Sequence, residues 1–444
     1  MVNTHKLHKF FGLTAGIVIL ILSITGFFLD HDRWNFLYTT TFKYYPSSIE
    51  NADKRLFSAY YIDPQDTKHL VCASKRGLFE SFDNGTSFQN ILPLQINSIK
   101  SDKEGRLYFA TSDGIYVKNN KRVERFLLEG RYINAMSIWD DTLIAVHDKK
   151  DIYMIDIPTK GIETVFDVHI AKEELHEDIK LSRFVRDLHY GRGLLEGDIS
   201  LYINDFGAIV LTILGMSGFI IWYYIHKKKR AITSRKWIKY HANIVSVLAV
   251  VPVVILLITG IFLDHSGGLR NFMKSVSIPH SILPPVYDTL ESDIWSVDYD
   301  GKILRIGNRY GVYASENLQD WYLDSRGFGY SLSRDGDTLY VGGMGAMNRI
   351  YDGEWHSLPH TPHMFKSVFH KNGNIEYFSS HKTDMPLPRF QDITLYSILL
   401  TLHDGTFFSS WWVWVNDYAA IAMLLLFITG IMRWLKKKRL TQRV

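Results

Sequence analysis

Residues 10–29, 206–225 and 242–263 contain no Lys, Arg, Asp or Glu, and residues 418–435 carry Arg433 alone. At about 1.5 Å of rise per residue, a twenty-residue helix covers the roughly 30 Å hydrocarbon core of a bilayer. In lipid every backbone polar group must be satisfied internally, which a helix does within one segment. A charge at the helix centre costs roughly 2.5–3.5 kcal/mol on insertion scales. The chain is therefore expected to be a membrane protein with an α-helical four-helix transmembrane bundle. Its composition, 46% hydrophobic and 22% charged, conceals this because the polar residues fall mainly in two long intervening stretches.

Positive charge sets the expected orientation. Lys227, Lys228, Lys229, Arg230, Arg235, Lys236 and Lys239 lie between the second and third spans, and Lys436, Lys437, Lys438 and Arg439 follow the fourth. The positive-inside rule places both termini and the central loop in the cytoplasm, with the two large stretches outside. A cleaved signal peptide fits the N-terminus poorly. Its apolar run is too long, and Phe27-Phe28-Leu29-Asp30 offers no small-residue cleavage site. The formal net charge of +4, concentrated at the helix ends, reads as lipid-headgroup contact rather than nucleic-acid binding. The single cysteine, Cys72, permits no intramolecular disulfide, and no C-x-x-C-H motif is present.

The membrane unit is written twice. "HKLHKFFGLTAGIVILILSITGFFLDH" from His5 is matched by "WIKYHANIVSVLAVVPVVILLITGIFLDH" from Trp237. "LHYG…ND…SG…KKKR" from Leu188 is matched by "LHDG…ND…TG…KKKR" from Leu402. Domain boundaries follow: 1–31 first span, 32–187 first half of an exterior β domain, 188–230 second span, 231–265 cytoplasmic loop and third span, 266–401 second half, 402–444 fourth span and basic tail.

Both large stretches carry an internal repeat with a period of about 36 residues, the size of one compact propeller blade. Its core is a strand, a turn and a second strand, as in "HLVCASKRGLFES" (His69), "LYFATSDGIYVKN" (Leu107) and "ILRIGNRYGVYAS" (Ile303). Three units fall in each stretch. "SFDNGTSF" (Ser81) resembles an Asp-box turn, and "SENLQDW" (Ser315) a degraded one. Six units can close a ring and remove exposed sheet edges, so one all-β exterior six-bladed β-propeller built from both loops is expected rather than two separate domains. The local cluster "HSLPHTPH" (His356) is broken by prolines and reads as a surface loop.

Ionisable residues near a membrane bundle are functional candidates, because they must be paired or ligated to be tolerated. His8 and His241 stand at comparable places near the cytoplasmic side, and His189 and His403 at comparable places near the exterior side. Each span also carries one small pair: Thr25-Gly26, Ser217-Gly218, Thr259-Gly260 and Thr429-Gly430. Gly218 and Gly430 should lie level with His8 and His241, and Gly26 and Gly260 level with His189 and His403. The eighteen residues from His8 to Gly26 span about 27 Å of helix, room for two stacked planar cofactors. Paired imidazoles would supply axial ligands to a haem iron, while glycine gives a macrocycle room. Close helix packing is the other account of the glycines. His31 and His265, in the repeated "FLDH", are alternative outer ligands, or Asp30 and Asp264 orient neighbouring imidazoles. Asn204-Asp205 and Asn416-Asp417 read as structural caps or as contacts to a propionate edge or proton path.

With these residues in place, the spans resemble the PepSY-associated transmembrane family, which includes inner-membrane ferric-siderophore reductases of bacteria. The resemblance covers the four spans, and the β stretches depart from the PepSY domains of many relatives. It implies haem b, two copies held non-covalently, with His8, His189, His241 and His403 matching the family's histidine pattern. The expected protein is an oxidoreductase of the bacterial inner membrane with periplasmic loops. It would move electrons from a cytoplasmic or quinol donor to a periplasmic ferric chelate, or next to a copper species or redox partner. No catalytic acid, base or nucleophile is expected, and "HEDIK" (His176) lacks the second histidine of a zinc protease helix. The competing readings are a haem-free receptor or assembly scaffold with a ligand-binding propeller, and a haem-based redox sensor.

Overall fold

The computed structural model describes residues 3–119, 122–227, 231–371, 373–380 and 384–441. Lys228, Lys229, Arg230 and His381 lie outside the described residues. Among the described residues, two helices, Ile199–His226 and Ser410–Lys436, are long and apolar enough to cross a membrane, and two bent pairs raise the number to four if each is one span.

The stretches read as the first and third spans are each broken into two helices. Thr4–Thr14 meets Gly16–Asp30 at 59°, and Thr233–Leu248 meets Val250–Asp264 at 72°. At the second break Pro252 has no N–H to return to the carbonyl of Leu248, and its ring crowds the preceding turn. At the first, the Thr14 hydroxyl donates to the Phe10 carbonyl at 3.0 Å, a back-bond that bends helices. A Cβ on the adjoining Gly16 would stand 2.8 Å from the Phe219 ring, so only glycine lets the second span approach the bend. With 1.5 Å of rise and a 59° bend, His8 to Gly26 is about 24 Å rather than 27 Å. Ala15, Ile19, Leu211, Val253, Ala422, Met423 and Phe427 form the bundle core.

The intervening stretches fold into antiparallel meanders. Among the described residues, five sheets have four strands each and a sixth, Ser367–Lys371 with Asn374–Phe378, has two. Second strands such as Leu70–Ser74 and Leu107–Thr111 are buried along their whole length, which is why they read as unbroken apolar runs. The first strands of sheets one, two, three and five, beginning at Phe57, Ile96, Ile133 and Gly329, all carry a bulge after their first residue. Each first strand lies against the first strand of the next sheet, and that of the sixth lies against that of the first. Cores fill the seams between sheets from different halves of the chain. One joins Ile144 and Ile152 to Leu304 and Ile306, and another joins Phe57 and Cys72 to Phe378.

Two short ribbons tie this β domain to the bundle. Thr41-Phe42 pairs with Ile393-Thr394, and Ile179-Lys180 pairs with Ser277-Ile278. From each ribbon a nine-residue helix leads to the bundle, Leu181–His189 and Leu395–His403. The expected boundaries at 187/188 and 401/402 therefore cut through helices. The physical reason is that these helices are too short to register as apolar spans.

Candidate functional site

Each of the four histidines is paired with the small-residue step of another helix. His8 Nδ1 is 2.8 Å from the Thr429 hydroxyl and His403 Nδ1 is 2.9 Å from Thr25. His241 Nδ1 is 2.8 Å from Ser217 and His189 Nδ1 is 3.0 Å from Thr259. His8 with Thr429 thus joins the first and fourth spans and His241 with Ser217 the third and second, while His403 and His189, at the ends of the two short helices, reach the first and third spans.

The hydroxyls decide the tautomer. Thr25, Thr259 and Thr429 donate their single proton to the carbonyls of Ile21, Ile255 and Leu425 at 2.6, 2.7 and 2.7 Å, and Ser217 donates to Leu214 at 3.1 Å. A hydroxyl that has given up its proton can only accept, so Nδ1–H of each imidazole donates to it and the Nε2 lone pair is left for another partner. The Nδ1 partner also fixes the ring orientation, as it does for metal-ligating histidines.

The rings then meet in two pairs. His8 and His241 have ring centres 6.3 Å apart, and His189 and His403 are 6.1 Å apart. Two imidazole nitrogens at about 2 Å from one shared metal, each with its ring centre about 1 Å behind it, give a separation of about 6 Å.

The glycines divide by what they meet. A Cβ on Gly16 or Gly215 would collide with Phe219 or Leu20 at 2.8 or 2.7 Å, so these two serve close packing. A Cβ on Gly218, Gly260 or Gly430 would make ordinary contact, 3.5–3.7 Å, with Cε1 of His241, His189 or His8, and one on Gly26 would stand 3.3 Å from Cε1 of His403. Beside His8 and His241 a cavity of about 430 Å³ opens, lined by Gly12, Gly218 and Gly430 with Lys9 and Arg433 among its polar residues.

The other repeated residues take supporting places. Asn204 and Asn416 donate to the backbone carbonyls of His189 and His403 at 3.0 and 3.1 Å, and so hold the ends of the two short helices. His31 Nδ1 is 2.8 Å from the Phe27 carbonyl while its Nε2 faces Asp205 at 3.5 Å, and His265 Nε2 faces Asp417 at 2.7 Å. Both rings are thereby engaged with carboxylates rather than with the central pairs. Sequence reasoning saw the serine and threonines only as small neighbours of glycine. Their recurrence before all four glycines was the available signal for a hydroxyl acceptor.

In the β domain, no group of three or more His, Cys, Asp or Glu residues is placed to hold a metal ion among the described residues. "SFDNGTSF" forms the expected turn, with Asp83 Oδ1 accepting from the Ser81 hydroxyl at 2.7 Å and the Ser87 N–H at 2.9 Å. "SENLQDW" makes a related turn in which Asn317 accepts from the N–H groups of Gln319 and Asp320, with Leu318 at φ 66°.

The profile of the family described as PepSY-associated TM region matches residues 139–437. No curated protein matches the chain. Among solved structures, the extracellular domain of BT4673 from B. thetaiotaomicron, assigned as a one component system, is similar at 13% identity and TM-score 0.36, covering 77% of this chain and 32% of that one. YCF48 from Cyanidioschyzon merolae is similar at 10% identity and TM-score 0.31, covering 67% of each chain. The computationally designed Ika8 protein is similar at 8% identity and TM-score 0.32, covering 72% and 67%. The chain spans about a third of the length of the first of these. At such scores nothing about function follows.

Proposed function

The chain belongs to the PepSY-associated TM region family and is a membrane protein with two to four spans, and from that premise we propose that it is a transmembrane b-type haem electron-transfer protein. The observation that carries this reading is the double pair of imidazoles, each with Nδ1 tied to a hydroxyl and Nε2 left to a partner, at ring separations that suit bis-histidine ligation. His8 with His241, and His189 with His403, would hold one haem each. Gly26, Gly218, Gly260 and Gly430 would leave room for the ring beside the imidazoles, the atom nearest to a Cβ at each being Cε1 of a histidine. Lys9 and Arg433 would meet acidic edge groups at the His8–His241 pair. When bound, the iron would supply a one-electron couple, the chemistry that belongs to the cofactor.

The chain's own part is to ligate, to space the two centres and to keep water from them. The spans would sit in a bacterial inner membrane with both termini cytoplasmic. The six sheets would form one six-bladed propeller on the periplasmic side; the cyclic succession of first strands supports this closure. A cytoplasmic donor or a quinol would be oxidised, a quinol releasing two electrons and two protons. Two ferric chelates, or other one-electron acceptors at the β-domain end, would each take one electron. That makes the protein an oxidoreductase of the ferric-reductase kind.

The test is the visible spectrum of the purified protein, oxidised and dithionite-reduced, beside His8→Ala and His403→Ala. Sharp reduced bands that fall by about half in each variant are expected. A featureless spectrum after expression with ample haem would sink the reading and leave a colourless receptor or scaffold.

A further inference from the structure

Between the β-domain end of the bundle and the fourth and fifth sheets lies a cleft of about 810 Å³. Seven basic side chains line it against two acidic ones. The acids are already engaged: Glu177 pairs with Arg326 at 3.0 Å, and Asp178 accepts from the His280 backbone N–H at 3.2 Å. Of the bases, Arg309 is held by Asp293 at 2.9 Å. Arg186, Arg270 and Lys274 form no ion pair or side-chain hydrogen bond among the described residues. Arg183 is 8% exposed; it pairs with Asp187, yet its Nε is buried without a hydrogen-bond partner among the described residues. Burial and the neighbouring Arg270 push the Lys274 ammonium below its ordinary value, and burial together with Arg183 does the same to Arg186.

A concentration of like charge in a walled cleft raises the local concentration of counter-ions and is offset when a polyanion enters. Guanidinium groups take carboxylates through two parallel N–H donors, a match that lysine cannot supply. The volume lies in the range of small-molecule sites. The place matters as well. Arg186 stands three residues before His189 on one helix, so the two side chains are about 5–6 Å apart at Cβ.

We infer that this cleft binds a small polycarboxylate metal chelate, a ferric hydroxycarboxylate being the class, through Arg186, Arg270 and Lys274. The inference deepens the electron-transfer reading by naming the charge and chemistry of its acceptor. Anionic lipid headgroups and the acidic edge of a haem share the same chemistry, and the experiment separates them.

Gallium(III) citrate is redox-silent, so its binding to the full-length protein in zwitterionic detergent can be measured by equilibrium dialysis whether or not haem is present. Binding is expected, weakening with salt and falling at least tenfold in the triple variant Arg186→Gln/Arg270→Gln/Lys274→Gln. Arg270→Lys, which keeps the charge but loses the two-donor fork, should weaken binding by an intermediate amount, and a cationic ferric hydroxamate should not compete. The triple variant should keep the wild-type visible spectrum and thermal midpoint. Absence of gallium citrate binding, or binding that the triple variant leaves unchanged, overturns the inference. Loss of co-purifying phosphatidylglycerol in the variant with no citrate binding assigns the cleft to lipid, and loss of haem absorbance assigns it to the cofactor; either outcome also overturns it. A coloured protein that does not bind citrate sinks this inference alone. A colourless protein that does bind it sinks the electron-transfer reading alone.

Discussion

A threonine hydroxyl has one proton, and in this bundle the helix backbone takes it. Thr429 donates to Leu425 and is left to accept from His8 Nδ1, which leaves the Nε2 lone pair for another partner, and the His241 ring centre stands 6.3 Å away. Thr429→Val keeps the shape and removes the acceptor. Outer partners of ligating histidines are worth about 10–100-fold in metal affinity. We therefore expect Thr429→Val to lose haem from the His8–His241 pair and spare the other, with Thr429→Ser restoring it. Titration of the apoprotein with haem, followed by reduced-band absorbance, checks this; equal affinity at both sites in the valine variant would remove the hydroxyl from the argument. The histidines themselves were legible in the sequence because the unit that carries them is written twice. The hydroxyl partners were not, since His8 and Thr429 are 421 residues apart and only the fold brings them together.

At the level of elements, the seam between the first and second sheets carries a titratable cluster. His69 Nε2 faces Glu80 at 2.6 Å and His69 Nδ1 faces Asp63 at 3.1 Å, while Lys118 of the second sheet also pairs with Glu80. The hydrogen bond that His69 donates to Glu80 raises the imidazole above its ordinary 6.5, against the effect of burial. Burial would raise Glu80, but His69 and Lys118 hold it below 4.5. A raised histidine contributes stability that is complete below 6.5 and lost as pH climbs through its folded value; a depressed carboxylate contributes stability present above 4.5 and lost as pH falls through its folded value. The thermal midpoint should therefore decline as pH rises above 6.5, and His69→Gln should flatten that decline. Identical slopes in wild type and variant would place the pH dependence elsewhere. The strands of this seam were readable from apolar runs and turn residues. The breaks in the first and third spans were readable only in part: Pro252 marks one, but nothing in an uncharged run marks the bend at Ala15 until Phe219 packs on Gly16.

Across the whole molecule, the two halves of the chain are latched where the β domain meets the bundle. Arg76 of the first half donates to Asp53 at 2.7 Å and to Asp392 of the second half at 2.6 Å, and Asp53 accepts from the Thr394 hydroxyl at 2.8 Å. Arg76 and Asp53 are only 11% and 8% exposed, so removing one partner strands a buried charge. Arg76→Ala should cost about 3–5 kcal/mol, seen as a lowered thermal midpoint of the full-length protein; a midpoint unchanged within error would show that the latch contributes nothing. By itself the sequence determined the apolar spans, the doubled membrane unit, the matching heights of histidine and glycine, and the repeat of strands. Each of these is written in hydropathy or periodicity along a single stretch of chain. Tertiary structure alone decided which hydroxyl each imidazole meets, which nitrogen each leaves to a partner, where the chain bends, and that basic residues from three separate stretches face one cleft. Those outcomes depend on packing between segments hundreds of residues apart, and no local pattern encodes the distance across which two side chains will finally touch.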